Sequence, residues 1–137
     1  MEQPEKTFTL EEANQLLGQI APLIQRLQQL HQSILTTNQQ LDEAADKLSQ
    51  GNGYPITDLQ TQIEELTASQ RRLVEDFQSS LEHLERLGGV LKDLTQGLVD
   101  FYAIRDGEIV FLCWRMGEEH IQFWHSVEDG FAGRQPL

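Results

Sequence analysis

Residues 97–137, GLVDFYAIRDGEIVFLCWRMGEEHIQFWHSVEDGFAGRQPL, hold the only cysteine of the chain, both tryptophans and two of its four histidines. Asp100, Cys113 and His120 supply a carboxylate, a thiol and an imidazole, three kinds of transition-metal ligand, and thiolate and imidazole both suit zinc. His125 adds a second imidazole, with Glu128 or Asp129 close enough in sequence to orient it, and Arg134 is a fork for an anion or a carboxylate. Beside a metal, Glu118 would be the candidate catalytic residue, a general base toward water. A nucleophilic reading is weaker. Ser126, His125 and Asp129 sit too close along one segment to converge on a common centre, and Cys113, paired with His120 or His125, sits mid-strand without a helix N-terminus to depress its pKa. No CxxC, HExxH or glycine-rich phosphate loop is present.

Strands must position these groups. Residues 98–103, 108–114 and 119–124 are rich in Val, Ile, Phe, Tyr and Trp, and Asp106-Gly107 is a strong type I′ hairpin signal. A second two-residue turn at Met116-Gly117 would complete a three-stranded antiparallel meander. With those turns Phe101 faces Leu112 and Leu112 faces Ile121, while on the other face Asp100, Cys113 and His120 form one row. The first face, Val99, Phe101, Ala103, Val110, Leu112, Trp114, Ile121 and Phe123, is apolar and must be core. The second, which includes Asp100, Tyr102, Phe111, Cys113, Arg115, His120 and Trp124, is too apolar for open solvent and too polar for a core. Such a mixture suits a ligand site or an oligomer interface. The tail from Trp124 onward carries two aromatics and a terminal Leu, and is expected to fold back over the sheet, pinned where Arg134 pairs with Asp100 or Glu118.

The residues before the sheet read as scaffold. Thr9-Leu10-Glu11-Glu12 is a capping box, and Ile20, Leu23, Leu27, Leu30, Ile34, Thr37, Leu41, Ala44 and Leu48 repeat at alternating spacings of three and four. Pro22 predicts a kink or break early in this helix. Gln50-Gly51-Asn52-Gly53-Tyr54-Pro55 ends it, Thr57-Asp58-Leu59-Gln60 offers a second capping box, and a second seam runs Leu59, Ile63, Leu66, Gln70, Leu73, Phe77, Ser80, Leu84, Leu87, Leu91. Gly88-Gly89 should loosen or stop that helix near its end. Folding one seam on the other sets Thr37 level with Gln70 as a shared polar layer. An arm from Ile20 to Leu48 would be about 42 Å long, and Val74 and Leu81 beside the second seam leave room for a four-helix dimer. His31 and His83 read as solvated. The expected class is thus α+β, mainly α, in one domain: a long antiparallel, coiled-coil-like helical hairpin over 9–50 and 57–92, then a β-meander and tail over 98–137.

Composition limits the partners. Ten basic against 22 acidic residues, a net charge of −12 over 137 residues, argue against nucleic acid, whose binding is driven by Lys and Arg releasing counterions, and against anionic membranes. The lone cysteine makes no internal disulfide, the opening residues lack the basic and apolar regions of a signal peptide, and apolar runs are short. A cytoplasmic protein is expected.

The run LCWRMGEEHIQFWH followed by GFAGRQPL and preceded by VLKDLTQGLVDF resembles a family of small, uncharacterised bacterial proteins classed as a domain of unknown function. The resemblance spans essentially the whole chain, including the opening FTLEEANQLL with a proline shortly after. Matching positions include Lys92, Asp93, Gly97, Asp100, Phe101, Cys113, Trp114, Gly117, Glu118, Trp124, His125, Gly130 and Arg134, whereas His120 falls outside the pattern. The resemblance implies no activity, but shifts weight from the Asp100-Cys113-His120 row toward Asp100, Cys113, Glu118, His125 and Arg134.

Two functional expectations result. One is a non-enzymatic binding or assembly module whose mixed sheet face, with Asp100, Trp114, Glu118, Trp124, His125 and Arg134 as binding residues, meets a small ligand, a protein partner or a second copy in a homo-oligomer. The other is a metal-binding protein or metal-dependent hydrolase, with zinc held by Asp100, Cys113 and His125, and His120 as a further ligand.

Overall fold

The computed structural model describes residues 4, 6–51 and 53–137. Asn52 of the inter-helix turn and four of the ten opening residues read for a leader (1–3 and 5) therefore lie outside the described part. The order is α1 (Leu10–Gln50), α2 (Ile56–Arg86), β1 (Val90–Asp93), β2 (Leu98–Arg105), β3 (Glu108–Arg115), β4 (Phe123–Ser126), a 3₁₀ turn (Phe131–Gly133) and β5 (Gln135–Pro136). The chain is α+β, a helical hairpin followed by an antiparallel sheet. The sheet has five strands in the order β1-β2-β3-β4-β5, not three. Two compact units divide it: residues 27–80, and the residues up to Arg26 together with 81–137.

In the first of these units the expected seams carry the burial. Leu27, Leu30, Thr37, Ala44 and Leu59 are buried, and Ile34, Leu41, Ile63, Leu66, Leu73 and Phe77 are half-buried. The polar layer differs from expectation. Gln70 donates to the Asn38 side chain across the hairpin, while Thr37 turns its hydroxyl back to the Ser33 carbonyl at 2.8 Å. A Thr hydroxyl reaches the carbonyl one turn back without a partner helix, so Thr37 needs nothing from Gln70. Thr57 does not cap α2, which already begins at Ile56, with Leu59 donating to the Pro55 carbonyl.

The second unit holds the sheet. Thr9 and Glu12 make the reciprocal capping box, Thr9 N–H to Glu12 Oε1 at 2.9 Å and Glu12 N–H to Thr9 Oγ at 3.1 Å. α1 runs on through Pro22 unbroken. Proline removes the hydrogen bond to the Gly18 carbonyl, but Gly18 is exposed and water can replace that donor. Buried Ala13, Leu17, Ile20 and Ile24 anchor the helix on both sides of the gap, at roughly 1.5–3 kcal/mol for each large apolar side chain.

α2 ends at Arg86, short of the expected 92, because Gly88 and Gly89 close it with a Schellman cap. Gly89 N–H bonds the Leu84 carbonyl, Gly88 N–H bonds the Glu85 carbonyl, and Gly88 takes φ +102°. That stop frees Val90–Asp93 to form β1 on the edge of β2. The cap also receives Phe8, whose N–H bonds the Tyr102 carbonyl at 2.7 Å and whose ring meets Phe101 edge-on at 5.7 Å.

One sheet face is the core: Val99, Phe101, Ala103, Val110, Leu112 and Trp114 are buried there, as is Ile121. Asp106 (φ 51°) and Gly107 (φ 79°) make the type I′ hairpin, so β2 and β3 pair as expected, Asp100 opposite Cys113 and Phe101 opposite Leu112.

A Cβ on Gly88 would lie 2.1 Å from Phe8 Cζ, in a backbone conformation that L residues avoid. Gly88→Ala should therefore lose at least about 2 kcal/mol in urea unfolding. Gly51→Ala, with positive φ but nothing within 4 Å, should lose only about 1 kcal/mol.

Candidate metal centre

β3 and β4 decide which side chains meet. The Met116-Gly117 turn forms, with Gly117 at φ +103° and Glu118 N–H on the Arg115 carbonyl, but no strand follows it directly. Residues 118–122 are tied elsewhere: the Trp114 indole donates to the Glu118 carbonyl, and Ile121 N–H donates to Asn14 Oδ1 at 2.7 Å. β4 therefore starts at Phe123, not 119, and Cys113 pairs with Phe123 rather than His120. An odd shift of three residues turns over every side chain of the strand. His125 now joins the face of Asp100 and Cys113. Phe123 leaves the expected core face, and Trp124 leaves the mixed face to stand opposite Leu112, under the Arg105 guanidinium.

Asp100, Cys113 and His125 are all buried, at 1%, 1% and 2% exposure, and each brings one ligand atom within 4.8 Å of the others. His120 stays out, exposed and in contact with Gln122. The His125 ring is held at both nitrogens. Its Nδ1 lies 2.8 Å from the Ser126 carbonyl, which can only accept, so Nδ1 carries hydrogen. Its Nε2 lies 2.9 Å from Asp100 Oδ2, a contact that needs one proton between the two atoms. With that proton gone, imidazole and carboxylate would aim at a common cation. Neither Glu128 nor Asp129 orients the ring.

Asp100 Oδ1 is buried without a hydrogen-bond partner among the described residues. Burial raises the Asp100 pKa above the ordinary carboxylate value, opposed by the charges of His125 and Lys92. Burial, and next the Asp100 charge, push the Cys113 thiol up to about 11, with Arg134 acting the other way.

Beside Asp100, Cys113 and His125 lies a cavity of about 330 Å³, with Lys92, Gln96, Leu98, Asp129 and Phe131 in its wall. The tail closes over this face. β5 pairs with β4, and the Arg134 guanidinium is stacked 3.9 Å from the Phe123 ring centroid and 4.2 Å from that of Phe131. Arg134 reaches Glu118 at 3.3 Å, the pairing expected of the two considered, and Asp100 is left to His125. Glu118 also accepts from Arg115 N–H at 2.7 Å, so its carboxylate is a tether and does not line the cavity. Trp114 is core.

The sequence model of a family described as "Uncharacterized conserved protein (DUF2203)" matches residues 6–137. The chain belongs to that family. No curated protein and no solved structure matches it. In this DUF2203 protein, Lys92 lines the cavity and was missed by strand reading because β1 was taken for helix, whereas Phe111 stands on the mixed face as expected. Lys92 Nζ rests 4.4 Å from the Phe111 ring centroid, and Phe111 in turn packs on the His125 ring.

Two outcomes check this description. Cys113, buried and with a raised pKa, should resist iodoacetamide at neutral pH in the native metal-free protein and react fully once unfolded in urea. Because the folded pKa of Asp100 is raised, the metal-free native state loses stability as pH climbs from about 4 through the folded value. Asp100→Asn should remove that loss, so urea unfolding should favour the variant over wild type progressively across that range.

Proposed function

We propose that this protein binds a divalent transition metal through Asp100, Cys113 and His125, zinc being the ion whose ligand preferences fit best. The observation that carries the reading is the convergence of a carboxylate, a thiol and an imidazole nitrogen within 4.8 Å in a buried site. Two further features support it. The Nδ1 contact to the Ser126 carbonyl is the outer-shell bond that commonly orients a ligating imidazole. The unpartnered Asp100 Oδ1 is a buried polar atom that needs an explanation, and a cation supplies one. A free thiol ligand fits the reducing cytoplasm.

Three protein ligands leave a tetrahedral ion one open position, the arrangement of catalytic rather than structural zinc. Here the ligands border the 330 Å³ cavity. An ion so held acts as a Lewis acid on the group at that position, and the chain's own residues orient, enclose and exclude water. The binding-module expectation survives as a small-molecule cavity. Phe131 lines the cavity on the mixed face and Arg134 stacks on Phe123 there, which counts against a flat oligomer interface at that point. No helix among the described residues is long and apolar enough to cross a membrane.

The test is equilibrium dialysis of tag-free protein against zinc, followed by elemental analysis. One ion per chain is expected, with affinity lowered by at least about a hundredfold in Cys113→Ser and in His125→Gln. His120→Ala should bind as wild type does. Absence of near-stoichiometric metal, or equal loss in the His120 variant, would contradict the proposal.

A further inference from the structure

Two charges in the cavity wall remain unpaired. Lys92, from β1, stacks on Phe111 and acts on Asp100 through its charge without forming an ion pair among the described residues, and Asp129, from the loop after β4, offers its N–H to Ser126 while its carboxylate makes no hydrogen bond or ion pair among the described residues. They line one cavity yet do not bridge to each other. Of the other two aspartates in the wall, Asp100 is held by His125, and Asp93 is engaged by Gln96, whose N–H lies 3.0 Å from Asp93 Oδ1. A cation and an anion that line one small cavity without pairing with each other form a template for a ligand with the opposite pair of charges.

We infer that this cavity takes a small zwitterion of amino-acid type, its carboxylate toward Lys92 and its ammonium toward Asp129. The inference rests on the metal reading of the same site. An Asp100 carboxylate and a Cys113 thiolate together cancel the charge of a divalent ion, so the metal centre attracts neither end of such a ligand by net charge, and Lys92 and Asp129 set its direction. Size agrees: about 330 Å³ corresponds to roughly ten non-hydrogen atoms at the volume a water molecule takes in the liquid. Leu98 and Phe131 provide an apolar wall for a side chain.

The experiment is calorimetric titration of the zinc-loaded protein with the twenty standard amino acids, then with the deaminated acid and the decarboxylated amine of the tightest binder. The intact amino acid should bind about tenfold or more tighter than either analogue, as expected for losing one charged hydrogen bond. Lys92→Gln should reduce its affinity to that of the amine, and Asp129→Asn to that of the acid, with charge-keeping Lys92→Arg and Asp129→Glu restoring much of it. Bound zinc, measured in every sample, reports an intact site. Zinc retained with no amino acid bound, or with all three compounds bound alike, overturns this inference and leaves the metal reading standing. Protein that takes up no zinc overturns both.

Discussion

The register of β4 against β3 is the constraint on which the site depends. Side chains alternate across a strand, so the pairing of Phe111 with His125 and of Cys113 with Phe123 places an imidazole, a thiol and the Asp100 carboxylate on one face and leaves the other face to the core. Any odd slip would bury Trp124 against Asp100 and Cys113 and expel His125. The bonds from Trp114 to Glu118 and from Ile121 to Asn14 hold the intervening loop and so set that register from outside the sheet. The Asn14 contact links the first turns of α1 directly to the chemistry.

Burial of three ionisable groups is unfavourable by itself, and the surroundings offset it unevenly. His125 and Asp100 satisfy each other on one side, and removing either partner from such a buried pair costs about 3–5 kcal/mol. Cys113 is kept neutral by its environment, and Asp100 Oδ1 is left with no donor. Protein groups alone therefore leave this arrangement incompletely satisfied among the described residues. Arg134, stacked between Phe123 and Phe131 and tied to Glu118, closes the tail over this region without entering the cavity. Its role explains why the tail folds although its last strand has only two residues.

Local signals were legible where local bonds decide the outcome. The Thr9–Glu12 capping box, the Asp106-Gly107 hairpin and both heptad seams are each written within a few residues, and β2 pairs with β3 in the register those turns imply. Asp100, Cys113 and His125 were all identified as ligand types for the same reason. What could not be read was set by distant partners. His120 was placed beside Cys113 because Met116-Gly117 does form a turn, whereas the loop behind it is steered by Asn14. β1 was hidden because Leu87 and Leu91 continue the helical spacing, and only the Gly88-Gly89 cap, packed under Phe8, turns the chain into the sheet. The resemblance motif, which includes His125 and omits His120, pointed to the three side chains that converge, which spacing alone did not.

The central claim is that a thiolate, an imidazole and a carboxylate from three strands bind one ion. X-ray absorption at the metal edge of the zinc-loaded protein tests it most directly, because sulfur and nitrogen or oxygen scatter at different distances. The account predicts one sulfur at about 2.3 Å with nitrogen and oxygen ligands near 2.0–2.2 Å in a four-coordinate shell. A shell of nitrogen and oxygen alone, or one with more than a single sulfur per ion, would contradict it.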